Sequence, residues 1–392
     1  MEQRNGGRRL VHITTVPITL RFLTGHVAFL HDHGYDVHVV SSPGEDLDRF
    51  RNDTGVEAHA VQMERRISPG RDLRALARLT SVLMRIKPDV VHAHTPKAGL
   101  LGMLAATAAG VSARVYHIHG FPFVTQSGWR RAVMIWAERT ACRLADQVYS
   151  VSQSIAKIAA DERICRAERL RVLGNGSIGG VDARARFSPD RYANERVVLR
   201  RRLGIPDDAR VVGYVGRIVR DKGVEQLVAA WADIREKLVD AYLVLVGDVE
   251  EQDPISGETW STLRDDARVR LIGSVLDTPP YYSIMDVVAL PSFREGLPVV
   301  PLEAAAMALP VVATRIPGCI DAIMDGETGT LVPVGDVTAL SRALLTYLQD
   351  PDLARHHGAQ GRERMLRDFD PDLIHREMLT EYIRLLVRER DM

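Results

Sequence analysis

The amino-acid sequence predicts two α/β domains, each with a parallel sheet between layers of helices. Short apolar runs rich in β-branched residues alternate with segments of helical period along the whole chain, as in repeated βαβ units. The runs fall into two series, and the segment between them, 174–192, is rich in Gly, Ser, Asp and Pro. A chain of 392 residues with 46% hydrophobic content is long enough for two cores. We therefore expect an N-terminal domain at 1–182 and a C-terminal domain at 191–370.

Ten apolar runs are predicted to be strands, with helices between them. The first domain contains the runs 10–14, 36–41, 89–94, 113–118 and 146–151. The second domain contains the runs 209–216, 242–247, 268–273, 286–292 and 309–314. Helical patterns follow at 336–349, 352–368 and 371–390. The apolar stripe of the last segment fits either a cap on the second domain or a return to the first, and its spacing leaves both open.

Cysteine use and hydropathy favour a reducing compartment. The three cysteines, Cys142, Cys165 and Cys319, form no C-x-x-C pair, so we expect neither a disulfide framework nor a cysteine zinc site. No stretch approaches about 18 uncharged apolar residues, so no signal peptide or transmembrane helix is expected. These features predict a cytoplasmic protein.

The formal net charge is zero, yet the two halves of the chain differ in charge. Residues 1–190 contain 26 Lys and Arg against 18 Asp and Glu, and residues 191–392 contain 25 against 33. A basic half favours an anionic partner. The helical segment 70–87 carries Arg71, Arg74, Arg78 and Arg85 on one stripe, which suits either peripheral contact with an anionic membrane or a solvated surface. No aromatic residues interleave these arginines, so nucleic-acid binding is not expected.

The segment 290–314 is a predicted strand, a loop with Glu295 and Gly296, and a helix that starts near Pro298. Free N–H groups at a helix N-terminus favour an anion such as a diphosphate. Glu295 and Glu303 are eight residues apart, roughly 12 Å along a helix, so they suit different parts of one elongated ligand. The alternative is that Glu295 caps the helix and Glu303 is a solvated acid of its first turn.

The segment 213–231 repeats this arrangement of strand, glycine-containing turn and helix. Arg217 and Lys222 flank the turn, and the helix is predicted to begin near Gly223. Two cations beside a helix N-terminus are suited to hold a diphosphate. The alternative is a pair of solvated surface charges.

The combination of GRIVRDKG (216–223) with EGLPVVPLE (295–303) closely resembles the retaining glycosyltransferase family 4, whose members have the GT-B fold. The resemblance spans most of the chain. Further matches are GSIGGVD (176–182), DVVALPSFREG (286–296), the run from PVVAT to GTLVP (310–333), VHAHTPKAGLLG (91–102) and YHIHG (116–120). The last two resemble the bacterial subgroup that builds capsule, exopolysaccharide and lipid-linked oligosaccharides.

The resemblance implies two Rossmann-like domains that face each other across a cleft, with the C-terminal helix crossing back to the N-terminal domain. For the segment 371–390, whose apolar stripe fits either domain, the resemblance thereby implies a return to the first domain. It also implies transfer with retention of configuration and without a required divalent metal. The expected substrate is a nucleotide sugar, most simply UDP-linked, and no cofactor is expected.

The resemblance also implies roles for individual residues. Arg217 and Lys222 would hold the donor diphosphate, next to Gly216. Glu295 and Glu303 would bind the sugar hydroxyls and the ribose diol. The backbone of Gly296, Leu297 and Pro298 would assist Glu295, and His119 of the first domain would face the donor sugar.

The loop after the first strand departs from the family pattern. Many members have a glycine-rich loop there, whereas this chain has TTVPITLRF (14–22). Thr14 and Thr15 are therefore candidates for contact with the donor.

Two H-x-H pairs, at 92–94 and 117–119, place their imidazoles on one face of a strand, which is a geometry that binds zinc. No Asp or Glu accompanies them, so we expect histidines of the cleft or the core and no metal. GNGSIG (174–179) matches a dinucleotide fingerprint, but no helical pattern follows it, which excludes NAD.

The sequence thus predicts a retaining glycosyltransferase that moves a sugar to a hydroxyl, on a lipid-linked or polysaccharide acceptor. A polyprenyl diphosphate is the expected lipid. The alternatives are a GT-B-type nucleotide-sugar epimerase, a transferase for a small natural-product acceptor, and a non-catalytic sugar-nucleotide-binding module.

Overall fold

The computed structural model describes residues 7–250 and 253–388. The chain divides into two compact units, and each is described by itself. The first unit runs to Gly180 and resumes at Pro371, and the second is Val181–Asp370.

The first unit is a seven-stranded sheet, parallel throughout, with the order β3-β2-β1-β4-β5-β6-β7. Its strands are β1 (Arg8–Ile13), β2 (Tyr35–Ser41), β3 (Glu57–Ala60), β4 (Val90–His94), β5 (Ala113–Ile118), β6 (Gln147–Ser150) and β7 (Leu170–Arg171). The helices between them are α1 (Thr24–Asp32), α2 (Glu45–Thr54), α3 (Pro69–Ile86), α4 (Pro96–Ala108), α5 (Gly128–Leu144) and α6 (Gln153–Asp161). The strand order reverses between β1 and β4, where sheets of this kind bind ligands at the carboxyl ends of the strands.

The second unit is a six-stranded parallel sheet with the order β10-β9-β8-β11-β12-β13. Its strands are β8 (Arg210–Val215), β9 (Ala241–Val246), β10 (Val269–Gly273), β11 (Val287–Leu290), β12 (Val311–Thr314) and β13 (Gly329–Val332). Its helices are α7 (Ala193–Arg202), α8 (Val224–Lys237), α9 (Gly257–Asp265), α10 (Pro279–Tyr282), α11 (Val299–Ala306), α12 (Cys319–Ala322), α13 (Val337–Gln349) and α14 (Pro351–Asp368). Here the order reverses between β8 and β11.

The last helix, α15 (Pro371–Arg388), leaves the second unit and packs on the first. Its buried side chains Met378, Tyr382 and Leu385 join the core between α1, α2 and the sheet. The predicted fold class of two parallel-sheet domains with a returning C-terminal helix is confirmed.

All ten predicted strands form, and three further strands were not predicted. β3 (EAHA) is an edge strand whose four residues are all exposed or partly exposed, and β7 has only two residues. β13 (GTLV) is a short edge strand that begins with a glycine. Short edge strands carry little apolar pattern, so the sequence signal is weak there. Within residues 7–250 and 253–388, no helix is both long and apolar enough to cross a bilayer.

A ladder of histidines crosses the sheet of the first unit near its carboxyl edge. His12 pairs in register with His92, and His94 pairs with His117. All four side chains are buried on the face of the sheet that α1 and α15 cover. Tyr382 of α15 places its hydroxyl 2.6 Å from Nδ1 of His92 and 3.4 Å from Nε2 of His26. We call His12, His26, His92, His94, His117 and His119 the histidine ladder.

Burial keeps the histidine ladder uncharged at neutral pH. It lowers the pKa of His12 to about 3 and that of His119 to about 4, from the ordinary value of 6.5. The pKa values of the other four members are also lowered, by burial first and then by neighbouring histidines. One buried acid shifts in the opposite direction: burial raises the pKa of Glu138 from 4.5 to about 7.

We predict that the protein loses stability as the pH falls from 7 to 5. Below about pH 6.5 the unfolded chain protonates six histidines that the folded state keeps neutral, which lowers the free energy of unfolding by up to about 1.4 kcal/mol per pH unit for each. Between about pH 7 and 4.5 the folded state binds an extra proton on Glu138, a smaller effect of opposite sign.

Thermal unfolding followed by circular dichroism at several pH values measures this slope. Glu138→Gln removes the opposing group and should steepen the loss of Tm. A Tm that stays level or rises between pH 7 and 5 would contradict the neutral ladder.

Candidate active site

The two sequence motifs of the second unit meet at the carboxyl edge of its sheet. One motif is the turn between β8 and α8, and the other is the loop between β11 and α11. Because β8 and β11 are hydrogen-bonded neighbours, both loops emerge side by side at the switch point of the sheet. The structure thus brings together residues that lie about 80 positions apart in the sequence.

An ion pair joins the two loops. Lys222 Nζ lies 2.6 Å from Glu295 Oε1, and the two side chains are only 20% and 9% exposed. A second pair, Arg294 with Asp221 at 2.8 Å, links the same loops. Such charge-assisted hydrogen bonds are stronger than neutral ones, especially away from water. Glu295 therefore binds a lysine of the neighbouring motif and does not cap α11, which has no side-chain cap.

Close backbone contacts also hold the loops. Gly223, which precedes α8, has a φ of +72°, and a Cβ there would lie 2.0 Å from the carbonyl oxygen of Pro291. A Cβ at Gly247 would likewise lie 1.9 Å from the carbonyl oxygen of Gly216. Any side chain at either glycine, 223 or 247, would push the strand-end loops apart.

Arg217 lies at the exposed side of this edge. Its guanidinium forms an ion pair of 2.6 Å with Glu250, and its side chain is 48% exposed. Tyr214 donates its hydroxyl to the carbonyl oxygen of Arg217 at 2.6 Å, which fixes the backbone of the turn. Both predicted diphosphate-binding cations are therefore paired with a carboxylate.

The helix α11 begins next to Pro298, as the sequence predicts. Pro298 has an extended backbone, with φ −68° and ψ 131°, and precedes the helix at the N-cap position; Val299 is the first helical residue. Gly296 and Leu297 lie in the preceding loop, half-buried. Their N–H groups and those of the first turn lie at the positive end of the helix dipole.

Glu303 lies in the second turn of α11, and a buried tyrosine positions it. Tyr282 donates its hydroxyl to Oε2 of Glu303 at 2.8 Å. Burial and the neighbouring Glu303 raise the pKa of Tyr282, so this hydroxyl remains a donor. Glu303 is therefore not the solvated first-turn acid of the alternative interpretation.

In the first unit, Thr14 and Thr15 organise the loop after β1. The hydroxyl of Thr15 lies 2.8 Å from that of Thr95 and accepts the N–H of Ala98 at 3.1 Å, in the first turn of α4. Thr14 donates to the hydroxyl of Ser41 at 3.0 Å. Both threonines are nearly buried. Through these bonds the two hydroxyls fix the loop after β1, which stands where the family pattern has a glycine-rich loop.

His119 follows β5 at the carboxyl edge and is half-buried. Its Nε2 lies 3.2 Å from Nδ1 of His94, whose Nε2 lies 3.0 Å from Nδ1 of His12. The pKa of about 4 makes His119 a neutral hydrogen-bonding group. Two triads, His12 with His92 and His94, and His94 with His117 and His119, keep their nitrogens within 4.8 Å of one another. Neutral imidazoles in that arrangement are able to ligate a transition metal.

Comparison with known proteins follows the same division of the chain. Residues 21–176 match the family described as "Glycosyl transferase 4-like domain", and residues 196–364 match "Glycosyl transferases group 1". The capsular polysaccharide biosynthesis glycosyltransferase CapM of Staphylococcus aureus is 31% identical, over 96% of this chain and 97% of that protein. The UDP-Gal:alpha-D-GlcNAc-diphosphoundecaprenol alpha-1,3-galactosyltransferase of Escherichia coli is 26% identical, over 89% and 90% of the two chains.

Among solved structures, HepE from Anabaena in complex with UDP and glucose has the same fold. The TM-score is 0.79 at 21% sequence identity, over 95% of this chain and 98% of HepE. Fold, motifs and relatives together define a glycosyltransferase of the GT-B type, and the chain belongs to glycosyltransferase family 4.

We predict that Glu303→Ala raises the KM for the donor by roughly tenfold or more and lowers kcat much less. A carboxylate that binds a ribose diol contributes equally before and during the reaction, and a hydrogen bond to a charged group contributes about 1.5–3 kcal/mol. Steady-state kinetics with the donor varied tests this. Glu258→Ala, which removes an exposed acid of α9, is the matched control. An unchanged KM in Glu303→Ala would exclude Glu303 from the donor site.

Proposed function

We propose that this enzyme transfers a sugar, with retention of configuration, from a UDP-linked donor to a hydroxyl of a lipid-linked or growing polysaccharide acceptor. The observation that carries the proposal is the meeting of Arg217, Lys222 and Glu295 at the switch point between β8 and β11. Two relatives support the proposed donor and acceptor: the enzyme from Escherichia coli acts with UDP-Gal on a diphosphoundecaprenol-linked sugar, and CapM serves capsule synthesis.

The paired cations suggest how the donor enters. In the structure, Lys222 is bound to Glu295 and Arg217 to Glu250. A diphosphate carries more charge than a carboxylate and competes for both cations. When Lys222 turns to the diphosphate, Glu295 becomes available to accept hydrogen bonds from the sugar hydroxyls. One exchange of partners thus binds both ends of the donor.

The same groups stabilise the transition state. As the bond between the sugar and the diphosphate breaks, negative charge grows on the leaving phosphate, and Arg217, Lys222 and the N-termini of α8 and α11 are already in place to stabilise it. The acceptor oxygen bonds to the anomeric carbon on the same face, and its proton passes to the leaving phosphate. An α-linked product, as the relative from Escherichia coli forms, is what retention gives from an α-configured donor.

We predict that Arg217→Ala and Lys222→Ala each lower kcat by roughly 100-fold or more, the scale for loss of one group that stabilises developing charge. Arg220→Ala, from the same turn but 60% exposed and weakly paired with Asp253 at 3.9 Å, is the matched control and should keep near-normal turnover. Product analysis with donor alone and with donor plus acceptor distinguishes transfer from epimerisation. Normal turnover of either site variant at saturating donor would refute the diphosphate assignment.

We also propose that the reaction needs no divalent metal, because Arg217, Lys222 and two helix N-termini supply the positive charge that Mg²⁺ supplies elsewhere. Activity should survive dialysis against EDTA. Loss of activity with the chelator and recovery with one specific metal would overturn this, and would make the histidine ladder the first place to look for the ligands.

The first unit offers a surface for the membrane that a lipid-linked acceptor requires. On α5, Trp129, Val133 and Trp136 share one face and are 66%, 37% and 61% exposed. On α3, Leu73 and the exposed arginines of the predicted stripe face solvent. Both helices pack against α4, so they lie in one layer. Tryptophan and arginine together are typical of interfacial binding to anionic lipid, and we place the enzyme at the cytoplasmic face of the membrane.

We predict that Trp129→Ala with Trp136→Ala abolishes sedimentation with phosphatidylglycerol vesicles. The wild-type protein should sediment with those vesicles and much less with phosphatidylcholine, because the surface combines aromatic and cationic groups. Trp260→Ala, which removes a tryptophan of the second unit that is 37% exposed, should bind like the wild type. Equal sedimentation of the double variant and the wild type would exclude this face.

A further inference from the structure

A cavity lies in the first unit near the amino ends of strands β6 and β7. His119 and Thr15 instead follow the carboxyl ends of their strands. The cavity has a volume of about 500 Å³ and is open to solvent. Its walls are the last turns of α5 and α6 and the segment that leads into β7. These helices end where β6 and β7 begin, whereas His119 follows the carboxyl end of β5. A six-residue strand is roughly 20 Å long, so the cavity is well separated from the histidine side of the sheet.

Five arginines line this cavity: Arg139, Arg143, Arg163, Arg166 and Arg169. Among the residues that the structure describes, no acidic side chain lines it. We call these side chains the arginine pocket.

Two of the five arginines have a structural task. Arg139 donates to the carbonyl oxygens of Glu162 and Arg163 at 2.9 and 3.2 Å, just after the end of α6. Arg169 donates to the carbonyl oxygens of Arg143 and Ala145 at 3.4 and 3.3 Å, at the end of α5. Cations at these positions satisfy terminal carbonyls and complement the helix dipole.

The other three arginines have no such task. Within residues 7–250 and 253–388, the side chains of Arg143, Arg163 and Arg166 make no hydrogen bond and no ion pair. Nearby acids are bound elsewhere: Glu162 pairs with Arg131 at 2.5 Å, and Asp161 pairs with Lys157 at 2.9 Å.

Glu168 is exposed and does not line the cavity. Arg163 also holds a φ of +51°, a backbone conformation that is unfavourable for a residue other than glycine.

Converging positive charges repel one another, and helix capping accounts for only two of them. A bound anion would satisfy the remaining guanidinium groups, whose planar donor pairs match phosphate oxygens. We propose that the arginine pocket binds a small molecule or lipid headgroup that carries a phosphate or diphosphate. The proposal does not depend on the donor site, since the two sites lie in different units of the chain.

The pocket contains its own reporter. Cys165 lines the cavity and is half-exposed, whereas Cys142 and Cys319 are buried. A ligand in the pocket should slow alkylation of Cys165 by iodoacetamide, which mass spectrometry measures residue by residue. The reaction is run on the full chain with saturating UDP, so that pyrophosphate added as the probe meets an occupied donor site.

We expect pyrophosphate to slow alkylation of Cys165 about tenfold when its concentration is ten times its Kd, and potassium chloride of equal ionic strength to have no such effect. Arg143→Gln and Arg166→Gln should each weaken this protection. Arg51→Gln, which removes one exposed charge from α2, is the matched control and should retain it. All three side chains are exposed, so folding should be preserved, which circular dichroism checks.

A second arm distinguishes the source of the phosphate. Protection by phosphatidylglycerol vesicles but not by pyrophosphate would identify a lipid headgroup, and the reverse would identify a soluble phosphate compound. Protection that persists unchanged in Arg143→Gln and Arg166→Gln, or no protection by either probe, would overturn the proposal. Neither of these results would bear on Arg217 or Lys222, whose effect on turnover is measured separately.

Discussion

The ion pair between Lys222 and Glu295 is the interaction on which the organisation of the second unit's active edge depends. It joins the turn after β8 to the loop after β11, with 2.6 Å between charged atoms that are mostly shielded from water. Arg294 and Asp221 repeat the connection, and Gly223 lets the two backbones approach. The pair therefore serves as a structural link between the two loops, and in the proposed reaction it supplies one cation and one acceptor for the donor.

The two units stabilise their polar side chains in different ways. The second unit keeps its functional side chains charged and pairs each cation with a carboxylate. In the first unit, among the described residues, no acid pairs with a member of the histidine ladder, so the ladder stays neutral, and Tyr382 of the returning helix binds it. The paired charges that are able to compensate a developing negative charge therefore lie in the second unit.

Much of the fold follows from the sequence, because both parallel sheets are buried on two faces and their strands are apolar throughout. The strand around Val91 and the strand around Val288 illustrate this, since both lie in the middle of a sheet. The edge strands β3 and β13 are not predicted because each has only four residues; β3 is also polar and partly exposed, and β13 begins with a glycine and a threonine. The return of α15 follows from family resemblance and not from its apolar stripe, which also fits a cap on the second unit.

The candidate site was predictable as a set of residues but not as a set of contacts. The motifs identify Lys222 and Glu295 separately, yet nothing in their spacing of 73 residues indicates that they bind each other. Glu250 belongs to no motif, and its pairing with Arg217 arises only when β9 lies beside β8. The arginine pocket likewise forms only when the chain folds, since its members are spread over α5, the end of α6 and the segment before β7.

The exchange of partners at Lys222 is tested most directly by calorimetric titration of Glu295→Gln with UDP and with the UDP-sugar donor. If Glu295 holds Lys222 until the diphosphate arrives and then binds the sugar, removal of its charge should leave UDP binding as tight as in the wild type or tighter. The additional affinity that the sugar provides should disappear, by roughly 1.5–3 kcal/mol for hydrogen bonds to a charged group. Equal weakening of UDP and UDP-sugar in this variant would contradict the account.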